Sequence, residues 1–149
     1  MEEHRPHKVQ DELCFAIYST QKAYNKFYYE SLKPYKLTYL QFITLLVLWD
    51  APKSGLIVKE LGSQLGLDSG TLTPLLKRME NKGWVTRDNS AADGRKLVVQ
   101  LTDKAWDLED DIKDHVSDCF ATSNLTETEY VKKVNQVKEI CQRIEKIEF

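Results

Sequence analysis

Long apolar runs are missing from this 149-residue chain. None approaches the roughly 18 consecutive apolar residues that a membrane span requires, and the opening stretch, Met1 to Glu12, is charged and lacks the apolar core of a signal peptide. A cytoplasmic protein with no membrane partner is the expectation. Cysteine is scarce as well: Cys14, Cys119 and Cys141 are widely spaced and odd in number. With no CxxC pair and no Cys/His cluster, neither a zinc site nor a disulfide-stapled secreted scaffold is expected, and nothing points to a bound cofactor. Repeats and low-complexity stretches are absent too, which leaves one continuous domain, 1–149, of ordinary size.

A positive net charge is the last absence. The formal balance is −2, whereas a DNA-binding domain is more often basic overall. The distribution says more. From Lys77 to Lys96 six basic residues (Lys77, Arg78, Lys82, Arg87, Arg95, Lys96) stand against three acidic ones (Glu80, Asp88, Asp93). From Asp103 to Phe149 twelve acidic residues outnumber seven basic ones. A basic centre followed by an acidic segment fits one face that meets phosphate and another with a structural task, although ordinary solvated helix faces produce small excesses of the same kind.

What is present is mostly helical patterning. Leu13, Ile17, Tyr24, Phe27 and Tyr28 recur at helical spacing and predict a helix from about Lys8 to Lys33, stopped by Pro34. At 1.5 Å per residue it would span about 40 Å, long for a small domain, and such a helix often leaves the body of the protein to pack on a partner chain. Thr38 and Gln41 form a capping box with Leu37 and Phe42 as its hydrophobic staple, so the apolar run Phe42 to Trp49 reads as a buried helix rather than a strand. Thr126 and Glu129, flanked by Leu125 and Tyr130, repeat the signal ahead of Val134, Val137, Ile140, Ile144 and Ile147. That is a C-terminal amphipathic helix.

Between these lies Val58 to Leu101. A short helix, about Val58 to Leu65, ends in Gly66, and Asp68 or Ser69 then caps a helix with Leu72, Leu75, Leu76 and Met79 on one face. Two helices joined by so short a turn containing glycine form a helix-turn-helix. Pro74 requires the second helix either to begin later or to bend there. After Gly83, Trp84 to Arg87 and Leu97 to Leu101 read as short strands around a polar loop, Asp88 to Lys96. The expected fold is therefore mainly α with a small β-hairpin wing, a winged helix-turn-helix.

In such a fold the second helix lies in the major groove with its N-terminal side chains at base edges, here Ser69, Thr71 and Thr73. Lys77 and Arg78 follow, within reach of phosphates or a guanine edge, and Arg95 and Lys96 at the wing tip suit a minor groove or the backbone. Taken alone, the same residues also read as a helix cap and a solubilising surface, because helix-hairpin arrangements serve in protein contacts too.

The stretch Leu67-Asp68-Ser69-Gly70-Thr71-Leu72-Thr73-Pro74-Leu75-Leu76-Lys77-Arg78-Met79-Glu80, with Asp93-Gly94-Arg95 in the wing and Leu101-Thr102 after it, resembles the MarR family. Through Leu13-Cys14-Phe15 with Tyr18, and Leu37-Thr38-Tyr39, the chain is similar to the organic-hydroperoxide-responsive repressors of that family. The likeness covers about Leu13 to Leu125. It implies a homodimer whose terminal helices (8–36 and 103–149) interlock around a DNA-binding region (37–102), and a palindromic operator in double-stranded DNA. It also implies that Asp93 belongs with Arg95 to the DNA-binding set. Gly66 and the Lys53-Ser54-Gly55 loop depart from the family pattern without touching the proposed chemistry.

Read from its neighbours, Cys14 in Leu13-Cys14-Phe15-Ala16-Ile17 is ordinarily an inert small hydrophobe. A set of phenols changes the reading: Tyr18 lies at i+4 on the same helical face, and Tyr28 and Tyr39 follow at the family's spacing. Hydroxyl donors aimed at sulfur favour the thiolate, the species that attacks a peroxide. Fourteen residues of one helix separate Cys14 from Tyr28 by about 21 Å, so if the two meet, they meet across a dimer. Core packing is the ordinary alternative for these tyrosines. The resemblance further implies a repressor released by oxidation of Cys14, with Cys119 as a second, resolving cysteine or a low-molecular-weight thiol in its place; Cys141, on the terminal helix, matches nothing in the family pattern and reads as a packing residue. Rival readings are a MarR-type regulator released by a small phenolic or aromatic ligand, a thiol peroxidase, and a purely structural helical dimerisation module; an enzyme is not the expectation.

Overall fold

The structure of the chain, a computed structural model, describes residues 3–149. The elements follow in the order α1 (Leu13–Leu32), α2 (Tyr39–Asp50), β1 (Leu56–Ile57), α3 (Val58–Leu65), α4 (Ser69–Asn81), β2 (Val85–Asn89), β3 (Leu97–Leu101), α5 (Asp103–Asp107), α6 (Glu109–Ala121) and α7 (Glu127–Glu145). Two compact units result, one up to Val116 and one from Ser117 to Phe149.

In the first unit α2 is central because nearly every face of it is apolar. Phe42, Leu45, Leu48 and Trp49 meet Leu61 of α3, Leu72, Leu75, Leu76 and Met79 of α4, and Val85 and Val99 of the sheet; Leu32, Leu37, Trp84, Ala105 and Ile112 complete the core. Each of the large aliphatic residues that is fully buried stabilises the fold by about 1.5–3 kcal/mol. The Trp49 indole N–H donates to the Ala105 carbonyl at 3.1 Å, so the core takes in no unpaired ring donor there. The mainly α fold with a hairpin wing is as the sequence predicts.

Local signals fix the helix ends. The Thr38 hydroxyl oxygen accepts the Gln41 N–H at 3.2 Å and the Gln41 side chain accepts the Thr38 N–H at 3.1 Å, so the predicted capping box is formed. Asp68, not Ser69, caps α4: its carboxylate accepts the Thr71 N–H at 2.8 Å. Gly66 ends α3 at φ +66°, leaving the three-residue turn Gly66-Leu67-Asp68. Pro74 lies inside α4, which runs from Ser69 to Asn81 as one helix. The Gly70 carbonyl therefore has no N–H four residues on to accept from, since proline has none.

Two details differ from the sequence expectation, and a third was not addressed by it. The first helix begins at Leu13 rather than Lys8, because Glu12 is extended (φ −85°, ψ 131°) and a separate 3-10 turn, Val9–Asp11, precedes it. The Glu12 carboxylate is taken up by the His4 ring at 2.9 Å and the His7 N–H at 3.1 Å, and the first of these, then the second, holds its pKa below the usual value. The wing is part of a three-stranded antiparallel sheet in the order β1-β3-β2, with Leu56 opposite Val99 and Arg87 opposite Val99 on the other side. Its third strand, β1, has only two residues and offers no alternation to read. The segment after Thr102 is interrupted at Leu108 into α5 and α6.

In the second unit Thr126 and Glu129 form the expected capping box, with Glu129 accepting the Thr126 N–H at 2.8 Å and Thr126 accepting the Glu129 N–H at 3.2 Å. Phe120 packs edge-on against Tyr130 at 5.6 Å. α7 buries none of its residues, and Val131, Val137 and Ile144 stand exposed along it.

Candidate functional site

α4 turns Leu72, Leu75, Leu76 and Met79 inward and leaves Ser69, Gly70, Thr71, Thr73, Pro74, Lys77 and Arg78 exposed. At about 100° per residue the middle of the outward face is Gly70, Thr73, Pro74 and Lys77, with Ser69 and Thr71 at its edges. Gly70 and Pro74 are the members the sequence reading passed over. They carry no donor side chain, so residue chemistry alone gave no signal; their outward position follows only from the helix phase. The surface is short and polar at its capped end and basic further on. That suits close approach to a polyanion and base edges, with Thr methyls available to thymine.

The wing loop, Ser90 to Lys96, is closed by its own backbone: the Ser90 N–H donates to the Lys96 carbonyl at 2.7 Å and the Lys96 N–H to the Asp93 carbonyl at 3.0 Å. Asp93 accepts the Arg95 N–H at 3.0 Å and the Arg95 Nε–H at 3.4 Å. The Arg95 side chain is 94% exposed beyond it. Asp93 thus shapes the turn that presents Arg95 and Lys96, both at the surface.

Two basic residues of the central excess are engaged within the fold. The Lys82 ammonium donates to the Lys36 carbonyl at 2.8 Å and to Gln41 at 3.4 Å, tying the end of α4 to the start of α2. Arg87 is paired with Glu80. Lys77, Arg78, Arg95 and Lys96 are exposed, and Lys82 is exposed as well despite these bonds.

Cys14 is the second residue of α1 and is exposed, as are Leu13, Phe15, Ile17 and Tyr18 around it. The Tyr18 ring lies 6.1 Å from Phe15 and has the Lys22 ammonium 5.5 Å from its centroid. Tyr28, toward the other end of α1, is half-buried in an aromatic cluster with Tyr24 at 5.9 Å, Phe27 at 5.0 Å, Tyr39 at 4.7 Å and Phe42 at 5.7 Å. Of the four predicted residues of this unit, Tyr28 and Tyr39 meet, while Cys14 and Tyr18 lie four residues apart near the other end of α1. In the second unit Cys119 is half-buried on α6. Cys141 is exposed on α7, its thiol 3.7 Å from the Glu145 carboxylate, so it does not pack within its own unit as expected. Among the described residues no three His, Cys, Asp or Glu side chains are grouped as metal ligands, and no helix is long and apolar enough to cross a membrane.

Comparison with known proteins agrees with this architecture. Residues 26–112 match the family model of the transcriptional regulator SarA/Rot. The HTH-type transcriptional regulator MgrA of Staphylococcus aureus is 36% identical over 132 residues, 88% of each chain. Among solved structures, reduced AbfR bound to DNA superposes with a TM-score of 0.79 at 32% identity, covering 92% of both chains; AbfR is from Staphylococcus epidermidis. Its disulfide-formed state gives 0.67, covering 92% of this chain and 90% of that one. A cysteine-to-serine mutant of MarR from E. coli, complexed with operator DNA, gives 0.75 at 28% identity over 86% of this chain and 92% of that one. With its helix-turn-helix, its wing and more than half of its length matched, the chain belongs to the SarA/Rot family of transcriptional regulators, a group with the MarR-like winged-helix fold.

Proposed function

We propose that this protein is a dimeric DNA-binding repressor that leaves its palindromic operator when an organic hydroperoxide oxidises Cys14. The observation that carries the DNA-binding part is the outward surface of the first unit: the exposed start of α4, with Ser69, Thr71 and Thr73 at the groove and Lys77 and Arg78 behind, flanked by Arg95 and Lys96 on the wing. Solved relatives of this fold, AbfR and MarR, are bound to DNA. Dimerisation is supported by the apolar residues left exposed on α1 and, separately, on α7, which a second copy would cover.

The redox part rests on the exposure of Cys14 and on AbfR, which has been solved both reduced on DNA and in a disulfide-formed state. The Cys14 thiolate attacks one peroxide oxygen, the O–O bond breaks, and the alcohol leaves with a proton; sulfur is oxidised to sulfenic acid as the peroxide is reduced. A second thiol, Cys119 or a low-molecular-weight thiol, then attacks that sulfur and releases water. Tyr18, four residues on in the same helix, is the phenol of its own chain assigned to Cys14 in this reading. An antiparallel pairing of two α1 helices brings the Tyr28 and Tyr39 pair of one copy to Cys14 of the other, a distance of about 21 Å within one chain. No catalytic turnover belongs to this reading.

The test is titration of the reduced protein onto a duplex from its own promoter region, followed by an organic hydroperoxide, with Cys14→Ser beside it. Release of the wild type and retention of the variant is the expected result. If both stay bound or both dissociate alike, the cysteine switch is wrong, and release by a small aromatic ligand becomes the account to pursue.

A further inference from the structure

We infer that Glu80 is a positioning residue that locks the wing to α4, so that the wing tip and the start of α4 meet DNA as one rigid surface; this rests on the DNA-binding reading above. β2 is an edge strand of the sheet, paired with β3 alone, and the outward N–H groups of an edge strand have no ladder partner. At Arg87 that place is filled by a side chain from the last turn of α4. Glu80 Oε2 accepts the Arg87 N–H at 3.1 Å, and Glu80 Oε1 accepts Arg87 Nη2 at 3.3 Å. Both oxygens of one carboxylate thus hold the main chain and the guanidinium of the same strand residue, a charge-assisted pair of bonds with little freedom to rotate.

Burial of its arginine sets this pair apart from the other arginine ion pairs of the described residues, although Glu80 itself is 37% exposed. The Arg87 side chain is 18% exposed, against 94% for Arg95 and 77% for Arg143. Its Nε is buried without a partner. An arginine that served only solubility would swing outward and satisfy that donor with water, so the fold retains Arg87 here at the cost of one unsatisfied group.

The position explains the use. α4 and β2 are joined by the short turn Lys82-Gly83-Trp84, held by the Trp84 N–H donating to the Met79 carbonyl at 2.9 Å. Glu80 reaches across this turn to a strand residue seven positions on. Beyond Arg87 the strand leads directly to the loop that carries Arg95 and Lys96. With the strand held to the helix, engagement of the groove by α4 delivers the wing tip at no further ordering cost, as for two tethered binding modules of high effective concentration.

The experiment is the salt dependence of affinity for a duplex spanning the region upstream of the protein's own gene, measured for wild type, Glu80→Ala, Glu80→Gln, Arg95→Ala and the Glu80→Ala/Arg95→Ala double variant. Glu80→Ala is expected to weaken binding roughly fivefold or more and to lower the log-log salt slope by about 1, one phosphate contact. Arg95→Ala is expected to cost less than about twofold in the Glu80→Ala background, because the wing contact is already lost. Glu80→Gln keeps an acceptor for the Arg87 N–H and falls between. A variant that is merely less stable has a smaller active fraction, which lowers affinity equally at all salt concentrations and leaves the slope and the Arg95 effect intact. That pattern, or unchanged binding, overturns the positioning role alone. A wild type without salt-dependent binding overturns the DNA-binding reading and this role with it.

Discussion

The Tyr28 ring on α1 lies 4.7 Å from the Tyr39 ring in the first turn of α2. The two phenols come together because the 3-10 turn Lys33–Tyr35 and Lys36, in the left-handed region at φ 54°, reverse the chain between the helices. Substitutions can separate what the rings do from what the hydroxyls do. Tyr28→Phe and Tyr39→Phe keep the stacking and are expected to cost less stability than loss of the ring while slowing oxidation of Cys14. Tyr28→Ala removes the ring contacts as well and should cost about 1–2 kcal/mol. Denaturant unfolding and the rate of sulfenic acid formation read the two effects, and full sensitivity in both Phe variants would count against the phenol pair.

Two glycines with left-handed backbone make predictions of different size. A Cβ on Gly55, at φ +87°, would stand 2.0 Å from the Val99 carbonyl oxygen, whereas one on Gly66, at φ +66°, meets nothing within 4 Å. Gly66→Ala should therefore cost only the left-handed penalty, about 1–2 kcal/mol. Gly55→Ala adds a collision with backbone that cannot move without breaking the Leu56 and Val99 pairing, so its loss should be clearly larger. Equal unfolding midpoints for the two variants would show that β1 yields freely.

Acid should weaken the start of α7 before it affects an uncapped helix. The Glu129 pKa is held below its usual value, chiefly by the Thr126 N–H and next by the Thr126 side chain. A carboxylate with a lowered folded pKa contributes stability that is fully present above its unfolded pKa and is lost as pH falls through the lowered value. Circular dichroism of wild type is expected to lose helicity over that acidic range more than Glu129→Ala, which has no such group to titrate. Identical pH profiles would remove the capping box from the account of α7.

Reading ahead from sequence worked where a local rule determines the structure. Thr38 with Gln41 and Thr126 with Glu129 announce helix starts because the donors they satisfy lie within four residues, and Gly66 marks the helix-turn-helix for a similar reason. Three features needed partners distant in sequence. β1 exists only because β3 lies beside it. Arg87 and Lys82 look like two more cations for phosphate until Glu80 and Lys36 are placed next to them. The pairing of Tyr28 with Tyr39 depends on how one short turn directs two helices. Pro74 is a milder case, since the helix phase that puts it at the middle of the outward face was readable, but its tolerance inside α4 was not.

Asp93 separates two physical effects that point in opposite directions. Coulomb's law alone says that removing a carboxylate beside Arg95 should tighten binding to phosphate. The loop geometry says the reverse, because Asp93 Oδ1 holds both the Arg95 N–H and Nε–H. An exposed ion pair is worth at most about 1 kcal/mol in high dielectric, whereas leaving an arginine and its loop to be ordered on binding costs about 0.5–1.5 kcal/mol for the side chain alone, before the backbone is counted. Ordering should therefore win, and Asp93→Ala is expected to weaken DNA binding about threefold to tenfold, the lower end of the usual range for one contact. Asp93→Asn keeps an oxygen acceptor while removing the charge, so it should restore wild-type affinity or exceed it. Tighter binding by Asp93→Ala would mean that the wing turn holds its shape without this carboxylate.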